Sequence, residues 1–256
     1  MGKLKIKFVM LILFSISMIA QNKTIVPKSG TIVFLCKATI NDKVLYEKSK
    51  NEFTKKFFES LKEARVIEQQ MSGQKVDTTQ INDSFNEQAI AMKPFFENEM
   101  FKDENGYKFC HEFRDSIITQ YKMNNNNIKE DVMTLNSKTR TFSNDLTNGY
   151  YNYSENNIID IKEFKDDIKT ISNFKCFKVI YTYSEPDFDE FSSLMSSYIN
   201  KIEMWVTDKI KSDLHPIIND KQILEKYYPL EITEYSDMLK GSVREYKIEK
   251  ISLKKI

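Results

Sequence analysis

From Asn105 onward the chain is a succession of short period-2 segments separated by polar turns, and the shortness of those turns constrains the fold most. "GYKFCHEF", "SIITQYKM", "EDVMTLNS", "TRTFSND", "GYYNYS" and "NIIDIKEF" follow one another, punctuated by "NNNN", "NSK" and "NDLTNG". A parallel neighbour needs a crossover of roughly a dozen residues, so strands joined this closely pair antiparallel. "CFKVIYTYSE" continues the pattern with Phe177, Val179, Tyr181 and Tyr183 on one face. "KIEMWVTDKI" sets Ile202, Met204 and Val206 on one face and Glu203, Trp205 and Thr207 on the other. "PLEITEYS" and "SVREYKIEKISLKK" read as a closing hairpin, and "GTIVFLCKATI" at 30–40 as an opening strand. "EPDFDEFSSLMSSYIN" and "DLHPIINDKQILEKYY" are excursions, the second with room for one helical turn. The 18 Phe and 13 Tyr against 6 Gly suit packed strand faces and disfavour glycine-rich phosphate loops.

Between the first strand and this array lies a helix. Ser49 and Glu52 have the spacing of a capping box, and Phe53, Phe57, Leu61 and Ala64 recur on one face, roughly continued by Ile67 and Met71. The spacing predicts a helix ending at Ser72-Gly73 that docks its Phe/Leu stripe on the sheet and leaves Lys55, Lys56 and Lys62 in water. The polar stretch to Asn86 reads as a loop or a weak helix, and "NEQAIAMKPFFENEMF" as a helix broken or kinked at Pro94. No repeat and no linker interrupts residues 21–256, which read as a single α+β domain.

Residues 1–20 have the layout of a secretory signal peptide. Lys3, Lys5 and Lys7 precede an apolar run from Phe8 to Ile19 that stops at Ala20-Gln21. An uncleaved N-terminal anchor is the alternative, since Met18 stands where a smaller residue is usual. No later run is long enough to span a bilayer, so removal of the signal leaves no integral membrane protein. Removal also leaves 35 basic and 37 acidic residues. That balance gives no electrostatic footprint for nucleic acid or for an anionic membrane surface.

The chemistry-bearing residues are sparse. Of three cysteines, Cys36 shares a face with Ile32 and Phe34 and reads as a buried small hydrophobe. Cys110 and Cys176 could pair, or all three could be free. Cys110 and His111 are neighbours on a strand and point to opposite faces, so they do not easily share a metal. His215 precedes Pro216 in a loop, where solvent exposure is expected. Asp187, Asp189 and Glu190 alternate as in a calcium loop but lack its glycine and its distant glutamate, and read as a solvated turn. No nucleophile elbow and no phosphate-binding loop is present. The expectation is a protein that is not an enzyme, with no metal and no cofactor.

The order of pieces in the C-terminal third carries a resemblance. "NFKCFKVIYTY", "IEMWVTDKI", "YYPLEITEY" and "SVREYKIEKISLKK", over residues 173–254, resemble exported Bacteroidetes proteins of the GLPGLI family and its neighbours, with "KYYPLE" where the G-L-P-G-L-I turn would stand. That resemblance implies the fold of the outer-membrane lipoprotein carriers: a curved antiparallel half-barrel wrapped on one or more helices. It further implies a periplasmic or envelope location and an apolar ligand, a lipid or acyl chain, held by Phe177, Val179, Tyr181, Trp205 and Ile232. Trp205 would then line the cavity, or else pack under the 53–64 helix. The alternative class is a non-enzymatic interaction or structural module of the envelope, partnered by another envelope protein.

Overall fold

The computed structural model describes residues 24–72, 87, 89–98, 101–153, 158–183, 199–236 and 239–254. The signal-like segment 1–20, the polar stretch 73–86 and the acidic excursion with Asp187, Asp189 and Glu190 lie outside the described residues.

Among the described residues, eleven strands form one open antiparallel sheet: β1 (Ser29–Ile40), β2 (Lys108–Arg114), β3 (Ile117–Met123), β4 (Lys129–Asn136), β5 (Thr141–Ser143), β6 (Asn148–Tyr150), β7 (Ile158–Ile171), β8 (Phe174–Tyr183), β9 (Ile199–Thr207), β10 (Tyr228–Ser236) and β11 (Ser242–Leu253). Their order across the sheet is β6-β5-β4-β3-β2-β1-β11-β10-β9-β8-β7. Two meanders therefore run outward from a central β1–β11 pair, one counting up from β2 and the other counting down from β10. Tight turns set the local register. Between β7 and β8, Ser172 and Asn173 have φ of 48° and 70°, the left-handed pair that a two-residue hairpin requires.

Registers place five buried side chains in one row across the sheet: Cys36 opposite Tyr246, then Ile232, Met204 and Val179. This is the inner face. On the outer face the neighbouring row reads Lys247, Glu231, Trp205 and Lys178. Alternation thus delivers an apolar face and a charged face from the same strands. What covers the inner face is the chain between β9 and β10. Ile210, Leu214, Ile218, Ile223 and Leu224 of this 208–227 segment share the core with Phe34, Tyr181, Met204 and Ile232.

The helices do different work from the one expected. α1 (Lys43–Met71) starts six residues before Ser49; its cap is Asp42, whose carboxylate accepts from Leu45 N–H at 2.9 Å. Ser49 lies inside the helix, buried, and its hydroxyl donates to the carbonyls of Tyr46 and Lys240. Gly241 makes this docking possible. Its φ is 83°, and a β-carbon there would stand 2.4 Å from the Asp42 carbonyl oxygen. Phe53 and Phe57 are buried as expected, but against Phe96 and Phe101, in a cluster separate from the sheet core. Phe96 belongs to α2 (residues 89–98), which carries Pro94 without breaking. Beyond Leu61 the stripe fades: Ala64, Ile67 and Met71 are exposed. α3 (Lys221–Leu224) is a single turn capped by Asp220. No helix among the described residues is long and apolar enough to cross a membrane.

Candidate functional site

Of the five residues proposed from sequence to hold a ligand, three lie beneath the 208–227 segment, so the site is built from there. Val179, Tyr181 and Ile232 come together on the inner face, at 0%, 0% and 1% exposure, packed in the core with the segment's apolar side chains. Phe177 is half-buried and meets Tyr227 edge-on at 5.4 Å. Trp205 is on the opposite face. Lys169 lies over its indole, 5.4 Å from the ring centroid, and reaches on to bond Glu231. Lys178 binds Glu203 at 2.8 Å alongside. Burial pushes the Glu203 carboxyl up, but hydrogen bonds from Lys178 and Lys201 outweigh it and leave it below the usual range. The tryptophan is thus the apolar floor of a charge lattice, a place that suits an amphipathic ring.

Four side-chain anchors hold the 208–227 segment. Asp213 accepts from Arg140, whose guanidinium also donates to the Tyr153 hydroxyl at 2.8 Å and the Tyr151 carbonyl at 3.1 Å, and stacks over the Tyr153 ring at 3.9 Å. Asn219 donates to the Asn152 carbonyl at 3.0 Å. Asp220 caps α3. His215 is the fourth, and it is buried, not exposed as its loop position suggested. Its Nδ1 accepts from the N–H groups of Ile217 and Ile218, both at 3.1 Å, and its Nε2 donates to the Pro229 carbonyl at 3.0 Å. Those partners fix the tautomer. The ring packs between Phe34 and Tyr228, with centroids 4.8 and 4.7 Å away. Burial pushes its pKa down to about 3.

Other buried groups follow the same logic. His111 is fully buried with its Nε2 2.7 Å from Gln120 Oε1, and burial lowers its pKa to about 4. The hydroxyls of Tyr181 and Tyr228 are buried with no hydrogen-bond partner among the described residues. Cys36, Cys110 and Cys176 are all free and buried, so Cys110 and Cys176 are not paired. Burial pushes the thiols of Cys36 and Cys176 up to about 12, which makes them inert at neutral pH. Cys110 and His111 do point to opposite faces: Cys110 packs with Val33 and Tyr121 on the outer side, opposite the inward His111. Toward the other end of the inner face, Glu234 stands opposite Arg244. Burial raises its carboxyl to about 7 against the pull of the Arg244 guanidinium. Among the described residues no His, Cys, Asp and Glu side chains are grouped to hold a metal ion.

The residues that sequence reading missed are the anchors. Arg140 and Asp213 are 73 positions apart, and nothing local to either marks the pairing. No family model, no curated protein and no solved structure matches this chain.

Proposed function

We propose that this chain is an exported envelope protein that acts by binding another envelope protein, as a non-enzymatic interaction module, with the sheet as a rigid body and the α1–α2 pair as its contact arm. One observation carries the choice: the inner face is filled by the chain's own 208–227 segment, which leaves Val179, Tyr181 and Ile232 without exposure. The arm supports it, since Ile67, Met71, Ile90 and Phe95 are exposed apolar side chains beyond the sheet core. A photo-crosslinker placed at Ile90 is expected to trap a discrete adduct in intact cells, and one placed on the outer sheet face at Glu245 is not. Equal labelling at both sites overturns the role of the arm.

The second reading is the carrier: a half-barrel wrapped on one or more helices, binding a lipid or acyl chain. The unpartnered hydroxyls of Tyr181 and Tyr228 support it, because a buried polar atom left without a partner costs about 1–3 kcal/mol and a ligand's polar end would remove that cost. Native mass spectrometry of protein taken gently from cells separates the two readings. A retained lipid mass places the carrier first, and a clean unliganded mass removes it.

A further inference from the structure

The 208–227 segment crosses the inner face with little regular structure of its own. Apart from α3, its β-pairing is one bridge, Ile210 to Ile25. Its attachment therefore depends on its buried apolar side chains and on side-chain anchors, and one anchor works in a single protonation state. His215 Nδ1 is the acceptor for two backbone N–H groups, from Ile217 and Ile218. A proton on Nδ1 would face both of those donors and remove both bonds. Among the described residues, the groups that face the ring offer it no anionic partner. They are Phe34 on β1, Tyr228 and the Pro229 carbonyl on β10, and the segment's own backbone; the nearby His111 on β2 is a second cation in acid. Asp213 is committed to Arg140 and Asp220 to the N–H groups of Gln222 and Ile223.

We propose that His215 is an acid-released anchor: its protonation frees the 208–227 segment from the inner sheet face while the strands beneath stay paired. The neutral ring is required in the closed state, whereas in the open state it regains an ordinary imidazole pKa near 6.5. Burial holds the closed ring far below that value. Each pH unit below about 6.5 therefore shifts closed to open about tenfold through this one residue. Release would uncover Val179, Tyr181 and Ile232, so the inner face becomes available in acid and not at neutrality. This holds whichever reading of function is right, since it concerns the anchor and not the occupant.

Hydrogen exchange followed by mass spectrometry, corrected for intrinsic rates, tests it at pH 7.5, 6.0 and 4.5. Amides of 208–227 are expected to lose protection at least about tenfold between pH 6.0 and 4.5, while β1, β2 and β3 keep theirs. His215→Asn keeps an acceptor for the two N–H groups and does not titrate, so its segment should be insensitive to pH. Imidazole NMR on the unaltered protein gives a second measurement if that variant does not fold: the His215 protonation midpoint should coincide with the loss of protection. Protection that does not change with pH overturns the proposal. So does loss in β1–β3 at the same pH, an unchanged response in His215→Asn, or a His215 still neutral when the segment has opened.

Discussion

Trp205 owes its surroundings to parity. Its neighbours Met204 and Val206 point into the core, so the indole must face out, and Lys169 and Glu231 close over it. As the only tryptophan it reports on that lattice and on the core residues it packs against. Lys169→Ala is expected to increase acrylamide quenching of its fluorescence, with a stability change within about 1 kcal/mol as for an exposed pair. Acidity acts on the other face. His111 and His215 are held neutral, with folded pKa values near 4 and 3, below an unfolded value of about 6.5. Their stabilisation is complete above pH 6.5 and is lost as pH falls below it. Glu234 has the opposite sign: raised to about 7, it favours the fold at low pH and is lost as pH rises from about 4.5 through 7. Between about pH 6.5 and 4.5 two protons outweigh one, so unfolding free energy should fall by about 1.4 kcal/mol per pH unit. Urea titrations at pH 6.5 and 5.0 check both sign and size. The parity of Trp205 was legible in "KIEMWVTDKI". The burial of His215 was not, because it depends on two N–H groups of the turn that follows and on a strand 14 residues away.

Helices and strands differ in how far their own sequence reaches. Each strand's period and each short turn is local, which is why the hairpins, the antiparallel pairing and the closing β10–β11 pair could be read directly. The strands at the centre could not, since β1 meets β2 across 67 residues and β11 across about 200. The helix was legible as a helix and misread at both faces. "SKNE" has the letters of a capping box, but Asp42 already supplies a cap and the turn at Gly241 receives it. The Phe stripe is real, yet its partner is Phe96, stacked on Phe57 at 4.0 Å, and not the sheet. Phe57→Ala should therefore cost about 3–5 kcal/mol in the arm. The loss should be confined there: exchange protection of 43–71 falls while β1–β3 are unchanged, the behaviour of a separate cooperative unit. Uniform loss across the sheet would show that the arm and the core unfold together.

At the scale of the molecule, the sheet is open but its two wings are tied across the inner face. Arg140, at a φ of 53° in the turn after β4, belongs to one wing, and Asp213 leads from β9 in the other. Arg140→Lys keeps the charge and loses the fork and the stacked plane, so it should cost about 1–3 kcal/mol. The chemical-denaturation midpoint of that variant against Lys138→Ala, whose pair is exposed, checks this. The central β1–β11 pair sets the time order of assembly. At ~5–20 residues per second of synthesis, the last strand emerges roughly 10–40 s after the first. Each wing can zip up hairpin by hairpin during that interval, but β1 waits with one edge bare. A chain cut short between β10 and β11 keeps both wings without the strand that joins them, and the bare edge of β1 is then open to any other extended chain.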